Sequence, residues 1–423
     1  MREVVEILIG VGSAVGVTVG LFVVANLLLD QATARYVLFR ALAGALLGAV
    51  VGAAVNSGGW FLGGSLWPAG GAVLGAVGGG LLGRRRIPSL ADRRRTMERW
   101  RPVVFLAPAF AFLVVALVAP TLRTIYLSLR SRRGEDFVGL DNFESVFRDP
   151  SIFTLDNAGD ILTSRLFLLG LALGVGVLAI TVIRARVQQR DVDLTGPGPA
   201  LSVTAAAFLV VLAGVGSLRS VLWNNLYWVL LVTFVSTAAG LGIAVLADRA
   251  RGESVAKSFI FMPMAISFVG ASVIWRFVYA YTPAGRDQIG LLNALWVGGG
   301  GEPQAWIQQA PWNTLFLIAI MIWIQTGFAM VVLSAAIKAV PAELLEAARV
   351  DGANDAQVFW RITIPQIRTT IAVVVTTLVI TVLKVYDIVK VMTNGEFGTN
   401  VLANQMFDES FINRDLGRGS TLA

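Results

Sequence analysis

Polar and aromatic side chains interrupt three long apolar runs in the C-terminal half of the chain. They are Trp275, Tyr279, Gln325, Tyr386 and Asp387. A polar side chain inside an apolar run is costly against lipid, so such residues mark a route through which a polar solute moves. Amide, carboxylate and phenol groups bind hydroxyls, and aromatic rings pack against the C–H face of a sugar ring. The competing interpretation for each residue is structural: Trp275 packs between helices, and Arg276, Lys384 and Lys390 extend to the membrane surface.

A second set of residues occupies a polar loop between two apolar runs. It comprises Glu346, Ala347, Ala348, Asp351, Gly352, Ala353, Phe359, Ile362 and Pro365. Pro341 suits the first turn of a helix, and residues 343–350 are good helix formers. Gly352 permits a sharp turn, and Asp355 can cap a second helix. We expect a helix–turn–helix elbow that ends where Ile364 and Pro365 begin the next run. A plain solvated linker is the competing interpretation.

Several kinds of chemistry are excluded by residue type. The chain has no cysteine and no histidine, which removes disulfides, thiolate or imidazole metal sites and Ser-His-Asp triads. A phosphate-binding loop is incomplete, because Arg251 and Ala256 occupy the two glycine positions before Lys257 and Ser258. The chain should therefore not bind ATP itself. An elbow tethered at both ends to apolar runs cannot readily enter a DNA groove, so we expect no nucleic-acid partner.

The composition predicts a membrane protein. Hydrophobic residues make up 56% of the chain and charged residues 14%, against about a quarter in soluble domains. About ten apolar runs reach membrane-spanning length. They lie at 5–29, 38–56, 66–83, 103–123, 165–185, 200–218, 225–247, 258–280, 313–337 and 370–390. The first run lacks a clear cleavage site and is read as a retained helix.

Arginines set the predicted orientation. Residues 84–101 carry eight of them, which places this segment in the cytoplasm. Counting spans onward also places 184–190, 248–257 and 338–368 in the cytoplasm. The loop 124–160 disagrees, since it should be external yet carries Arg130, Arg132, Arg133 and Arg148. We attribute the net charge of +7 to this excess of arginine in the predicted cytoplasmic loops.

Glycines recur every fourth residue in the N-terminal runs. The series are Gly12, Gly16 and Gly20; Gly44, Gly48 and Gly52; and Gly71, Gly75, Gly79 and Gly83. This spacing places small residues on one helix face, where a neighbouring backbone can approach closely. Residues 1–83 are thus predicted to form a three-helix membrane module, followed by a basic linker at 84–102.

The loop pattern resembles the EAA loop of binding-protein-dependent ABC importer permeases. Further resemblance to the maltose-type, carbohydrate group lies in residues 137–143, and to its alpha-glucoside permeases in 261–270, 273–279, 288–293 and 322–328. The resemblance implies an all-α, polytopic membrane protein with a type I importer core at 103–423 and a coupling loop at 339–368. Extra helices would lie at the N-terminus and in an insertion at about 160–221. Residues 416–423 resemble the start of a final helix, which leads us to expect a fragment.

The resemblance also implies partners. They are an ATP-binding cassette ATPase dimer that holds ATP and Mg²⁺, a second permease, an external sugar-binding protein and the lipid bilayer of the bacterial plasma membrane. Glu346 would make a polar contact with the ATPase, and Gly352 would make the turn. The chain itself would hold no cofactor and catalyse no reaction. The expected cargo is an alpha-glucoside or related oligosaccharide. Three alternatives remain: an ABC importer of another small solute, a secondary transporter and a membrane enzyme. A secondary transporter would need no elbow. A membrane enzyme would be indicated by clustered carboxylates, which the predicted spans lack.

Overall fold

A computed structural model describes residues 113–187, 197–248 and 252–423, and the single residues Gly44, Gly48, Val73, Gly75, Leu106 and Gln189. The chain forms two compact units, Met1–Tyr126 and Leu127–Ala423. The described ranges are helical, apart from loops and one isolated antiparallel bridge between Arg130 and Phe137. The all-α prediction is therefore confirmed for this part of the chain.

In the first unit, two of the predicted glycine stripes meet. Gly44, Gly48 and Gly75 are all helical. A Cβ added to Gly75 would lie 1.9 Å from the carbonyl oxygen of Gly44 and 3.3 Å from the Cα of Gly48. Only glycine allows this approach of two backbones. A π-helix at Val114–Val118 then precedes helix α1 at Ala119–Ser128. The span predicted at 5–29 and the basic linker 84–102 lie outside the described residues.

The second unit is built from short and long helices. In chain order they are α2 (Asp141–Phe147), α3 (Ala158–Thr163), α4 (Arg165–Val187), α5 (Pro197–Ser217), α6 (Val221–Ala247), α7 (Glu253–Phe261), α8 (Phe268–Val278), α9 (Leu291–Gly298), α10 (Asn313–Lys338), α11 (Ala342–Val350), α12 (Asp355–Val358), α13 (Ile364–Leu383), α14 (Asp387–Met392), α15 (Leu402–Phe407) and α16 (Leu416–Leu422). A 3₁₀ turn at Met262–Ala265 follows α7, and π-helical turns occupy Phe359–Thr363 and Asp408–Ile412.

Five helices of the described part are long and apolar enough to cross a membrane. They are α4, α5, α6, α10 and a continuous helix over Asp355–Leu383, and a bent pair makes a sixth if it counts as one span. The spans predicted at 165–185, 200–218, 225–247 and 313–337 match four of these helices closely. The figure of about ten spans stays a prediction, because three of the predicted runs lie wholly or largely outside the described residues and a fourth, 103–123, lies partly outside them.

Two predicted spans differ from the structure. The run 258–280 is not one helix: α7 with its 3₁₀ turn meets α8 at an angle of 103°. Pro263 lies in that turn, and Ser267 starts α8 by accepting a 3.0 Å hydrogen bond from the Gly270 amide.

The run 370–390 is also wrong in its bounds. Its helix begins at Asp355, ends at Leu383 and is followed by a break before α14.

Helices α6 and α10 form the centre of the second unit, and small residues let neighbours approach them. A Cβ on Gly240 of α6 would lie 2.6 Å from the Cβ of Ala329 in α10. A Cβ on Gly327 would lie 2.5 Å from the Ile260 carbonyl oxygen of α7. Such contacts bring helices together in lipid, where apolar side chains gain little from association.

The loop 124–160, whose predicted external position disagreed with the charge rule, forms several local contacts through its arginines. Arg130 donates to the Glu135 carbonyl oxygen at 2.8 Å, and Arg132 donates to the carbonyl oxygen of Asn413. Arg148 pairs with Glu144 at 2.7 Å. These contacts join the loop to itself and to the C-terminal segment, so Arg130 and Arg132 have a structural role whatever the side of the membrane.

Candidate functional site

The predicted elbow is present, and its first helix is α11. Pro341 precedes this helix with a φ of −56°, and Glu343 lies in the first turn. An acidic residue at a helix N-terminus interacts favourably with the helix dipole. The Glu346 and Ala347 side chains are exposed, whereas Ala348 is buried. One face of α11 therefore packs inward, and the face that carries Glu346 is open to a partner.

The turn of the elbow is a Schellman motif. The Gly352 amide donates to the Arg349 carbonyl oxygen at 3.0 Å, and the Ala353 amide donates to the Ala348 carbonyl oxygen at 2.9 Å. Gly352 has a φ of +82°, a conformation that costs little only for glycine. An added Cβ would meet nothing within 4 Å. Backbone conformation, and not lack of space, requires glycine here.

The second helix of the elbow begins one residue earlier than expected. Asn354, and not Asp355, caps α12 in a capping box: its side chain accepts from the Gln357 amide, and the Gln357 side chain accepts from the Asn354 amide, both at 2.9 Å. Asp355 lies in the first turn, 3.8 Å from the Arg349 guanidinium. These two reciprocal hydrogen bonds, between the cap residue and the third residue of the helix, determine where α12 starts.

The elbow does not end at Pro365. The helix continues from α12 through a π-helical turn into α13, so Asp355–Leu383 is one helix of 29 residues. Proline has no amide proton and disrupts a regular α-helical ladder. The π turn absorbs that disruption, with the Ile364 amide donating to the Phe359 carbonyl oxygen. The second half of the elbow is therefore the first part of a membrane-length helix.

The outer surface of the elbow combines acidic and apolar groups. Val350 is 87% exposed, and Leu344 and Trp360 are also exposed. Phe359 and Ile362 are half-buried, and Phe359 packs edge-on against Trp360 with ring centroids 5.4 Å apart. Exposed apolar groups next to a carboxylate are typical of a surface that contacts another protein.

An ionic cluster ties three helices together at the end of the bundle from which the elbow emerges. The Lys257 ammonium of α7 contacts Glu253 at 2.5 Å, and also Asp248 and Ser334. Ser334 of α10 donates to Asp248 at 3.0 Å. Lys338, the last residue of α10, pairs with Glu253. Sequence reasoning missed this cluster: charges at the ends of the predicted runs were visible, but the pairing of residues about 80 positions apart was not.

A cavity of about 180 Å³ lies nearer the start of α10. Its lining residues are Phe268, Met321, Thr381, Lys384, Val385, Tyr386, Asp387 and Ile388. Two of the five predicted path residues, Tyr386 and Asp387, belong to this lining. The break between α13 and α14 brings them there, because the chain leaves its helix at Lys384 and re-enters one at Asp387.

The other three predicted path residues lie elsewhere. Tyr279 is buried and donates to the Phe316 carbonyl oxygen at 3.0 Å. Its ring lies 5.1 Å from that of Trp275, which in turn lies 5.7 Å from that of Trp323. This aromatic packing matches the structural interpretation of Trp275 and Tyr279. Gln325 is 8% exposed in the middle of α10, one helical turn from Met321 of the cavity.

Helix α10 connects these features in order. Met321 lines the cavity, Gln325 lies one turn further along, and Ser334 and Lys338 belong to the ionic cluster. The elbow follows directly. With a rise of about 1.5 Å per residue, the cavity and the ionic cluster lie roughly 20 Å apart along one rigid element. The helix Asp355–Leu383 joins the elbow to the cavity, because it starts in the elbow and Thr381 lines the cavity.

Known proteins are similar to this chain in sequence and in fold. A family profile described as binding-protein-dependent transport system inner membrane component matches residues 236–423. The osmoprotective compounds uptake permease protein GgtC of Synechocystis is 45% identical over 320 residues, which cover 76% of this chain and 91% of that protein. The alpha-glucoside transport system permease protein AglF of Rhizobium meliloti is 44% identical over 324 residues, covering 76% and 77%.

A solved structure shares the fold. A chain from the crystal structure of a bacterial alginate ABC transporter, in complex with an alginate pentasaccharide-bound periplasmic protein, superposes with a TM-score of 0.53 at 16% identity. The match covers 78% of this chain and 89% of that one. The matched family region contains the elbow, the cavity and α10.

Proposed function

This chain belongs to the family of binding-protein-dependent transport system inner membrane components, a multi-pass permease and not an enzyme, and on that premise we propose its role. It is a channel-forming subunit of an ATP-driven importer whose cargo is an alpha-glucoside or a related oligosaccharide. One observation carries the proposal: the helix Asp355–Leu383 has the elbow at one end and the cavity at the other.

The elbow is the contact with the motor. The Glu346 carboxylate and the apolar surface around Val350 and Trp360 enter a cleft on an ATP-binding cassette ATPase, which binds ATP and Mg²⁺. The Schellman turn at Gly352 fixes the angle between α11 and α12. Since α12 is continuous with a membrane-length helix, a movement of the elbow reaches the cavity without an intervening hinge at Pro365.

The cavity is the candidate contact with the solute. Lys384, Tyr386, Asp387 and Thr381 supply donors and acceptors for hydroxyl groups, and Phe268 and Tyr386 supply aromatic faces. Its volume of about 180 Å³ is below the roughly 300–1,000 Å³ typical of ligand pockets, so the cavity contacts only part of such a solute. The similarity to an alpha-glucoside permease supports a sugar as the cargo, and the similarity to an osmoprotective compounds permease makes an osmoprotectant the second candidate. A second permease and an external sugar-binding protein complete the importer.

A transport assay tests this role against a secondary transporter. The complex, reconstituted in vesicles with its ATPase and binding protein, should take up a labelled alpha-glucoside only when ATP is present on the elbow side. An osmoprotectant should be tested as a competing cargo. Uptake that persists without ATP and follows a proton or sodium gradient would favour a secondary transporter.

Cross-linking locates the motor contact. The chain has no native cysteine, so Val350→Cys introduces a unique thiol on the elbow. Leu295→Cys is the matched control. Leu295 is 68% exposed on α9, which comes before the start of α10, whereas the elbow follows the end of α10. A short thiol–amine cross-linker should join the first variant, and not the second, to the ATPase. Equal yields from both variants would contradict the assignment of the elbow.

A further inference from the structure

One side of α8 is exposed along the whole helix. Its apolar side chains there are 44–67% exposed, whereas Ala271 and Ser272 on the opposite side are fully buried. The turn that precedes the helix adds Met262 and Met264, which are also exposed. Four residues at i, i+4, i+7 and i+8 spacing share the exposed side and define what we call the open face of α8: Val269, Val273, Arg276 and Phe277.

The open face carries a cation without a partner in this chain. Arg276 is exposed, and its guanidinium makes no hydrogen bond or ion pair with residues 113–187, 197–248 or 252–423. Lysines of neighbouring helices are neutralised instead: Lys257 pairs with Glu253 at 2.5 Å, and Lys390 pairs with Asp408 at 3.2 Å. The partner of Arg276 therefore has to come from a surface that faces α8.

Arg276 lies inside the membrane-spanning region and not at its edge. Tyr279 donates to the Phe316 carbonyl oxygen near the start of α10, while Trp275 packs against Trp323, which lies further along α10. The two helices are thus antiparallel here, and Arg276 lies roughly 10–15 Å from the start of α10. Since α10 has 26 residues, it is about 39 Å long and exceeds the roughly 30 Å of hydrocarbon by only a few ångströms at each end.

Lipid and water both suit this face poorly. An arginine within the hydrocarbon is costly against lipid and normally faces protein or a water-filled space. The residues around Arg276 are apolar, with Phe277 67% exposed and Val273 44% exposed, so water gains little there. Arginine among exposed phenylalanine and methionine is instead the composition enriched in the contacts between proteins. The open face is therefore a protein contact.

A second copy of this chain does not complete the contact. In a symmetric pair the same patch meets itself, so two Arg276 guanidinium groups would approach each other. Residues 254–286 contain no aspartate or glutamate, and Glu253, which precedes them, is already paired with Lys257 and Lys338. Like charges brought together at an interface are strongly unfavourable. The occupant is a different chain that supplies an acid.

We propose that the open face of α8 docks a membrane helix of the second, non-identical permease, and that a carboxylate on that helix pairs with Arg276. The inference rests on the proposed function, which includes a second permease. It adds where the two subunits meet and why they have to differ. A guanidinium binds a carboxylate through two parallel hydrogen bonds, so the pair fixes the register of the two helices.

Photo-cross-linking in the reconstituted complex tests the contact. Benzoylphenylalanine in place of Val273 should cross-link to the second permease, and the captured peptide should be an apolar segment that contains Asp or Glu. Val175 is the matched control, because it is a 57% exposed valine on α4, another membrane-length helix. The same replacement there should capture no protein. Capture of a second copy of this chain at Val273, or equal capture from both positions, would overturn the proposal. Capture of no protein would assign the face to lipid.

Charge variants test the ion pair. Arg276→Glu should lower the amount of second permease that co-purifies by roughly tenfold or more, because the reversed charge repels the carboxylate. Arg276→Lys, which keeps the charge, should retain most of it. Arg286→Glu is the control, since Arg286 is an exposed cation in the loop after α8. The isolated full-length chain should melt at the same temperature with Arg276→Leu as without it. A lowered melting temperature would place the partner of Arg276 inside this chain and overturn the proposal.

Sugar uptake by the same vesicles keeps this interface apart from the transport role. ATP-driven uptake of an alpha-glucoside by a complex in which Val273 captures no second permease would refute the interface alone. Capture of an acidic helix of the second permease in a complex that transports a different solute would support the interface and refute the proposed cargo. Undiminished co-purification of the second permease with Arg276→Glu would refute the ion pair.

Discussion

The Ala353 amide donates a 2.9 Å hydrogen bond to the carbonyl oxygen of Ala348, and this contact closes the turn between the two helices of the elbow. Ala348 and Ala353 both belong to the pattern that separates this loop from an ordinary linker. Ala348 is buried, and Gly352 between them takes the left-handed conformation that the closure needs. The pattern thus encodes a fixed angle as well as a surface.

The ionic cluster should hold the base of the elbow. Replacing Lys257 with methionine removes the ammonium that joins α7 to Asp248 and Ser334, and leaves Lys338 as the remaining partner of Glu253. We expect a lower melting temperature of the purified complex, because Asp248 loses its closest cation. Arg148→Ala, which breaks an exposed ion pair, should change little. An unchanged melting temperature for Lys257→Met would show that the cluster is not structural.

The cavity should determine affinity for the solute without affecting the ATPase. Thr381→Val removes a hydroxyl that lines the cavity, while Thr376→Val removes one from the same helix with the same back-bond but outside the lining. The first should raise the KM for uptake several-fold, by roughly the factor of one hydrogen bond, and the second should not. Equal effects from both variants would point to helix stability as the cause.

Asp387 gives an independent test of the cavity. Asp387→Asn keeps the shape and removes the charge, so binding of hydroxyls through a charge-assisted bond should weaken by roughly tenfold or more. The readout is the concentration of sugar at half-maximal uptake, with co-purification of the ATPase as the assembly control. Loss of assembly instead of affinity would assign Asp387 a structural role.

A salt bridge outside the membrane-spanning helices should make stability depend on acid. Asp149 pairs with Arg418 at 2.8 Å. Partial burial acts to raise the pKa of Asp149, but hydrogen bonds from Ser151 and Arg418 outweigh it and hold this pKa below its usual value. A lowered pKa contributes stability above about pH 4 that is lost as the pH falls through the folded pKa.

The matching variant is Asp149→Asn. It should lower the melting temperature of the complex at neutral pH, and the gap to the wild-type protein should narrow towards about pH 3. Asp160→Asn, on the exposed helix α3, serves as the control. A gap that stays constant from neutral pH to about pH 3 would contradict the role of the Asp149 charge.

Local signals were enough to predict the two helices of the elbow and the turn at Gly352, because the hydrogen bonds that form them join residues within five positions. They were not enough to identify Asn354 rather than Asp355 as the helix cap. Both side chains can cap a helix, and the reciprocal hydrogen bonds with Gln357 select Asn354. Pro365 was misjudged as a boundary, because the π turn that accommodates it is not visible in residue types.

The cavity was predicted only in part. Tyr386 and Asp387 were identified as polar residues within an apolar run, yet they lie beyond the end of the helix. No glycine or proline marks the break at Lys384, and the packing of α14 against α8 and α10 that follows it is not visible in the sequence.

The coupling role of the elbow is tested most directly by a pair of glycine substitutions. Gly352 and Gly285 have φ values of +82° and +84°, and neither position has an atom within 4 Å of an added Cβ. Valine therefore imposes the same conformational strain at both sites, but only Gly352 lies in the elbow. The measurement is sugar-stimulated ATP hydrolysis by the reconstituted complex. We predict that Gly352→Val abolishes most of the stimulation while Gly285→Val keeps it; full stimulation in Gly352→Val, with the ATPase still bound, would contradict the account.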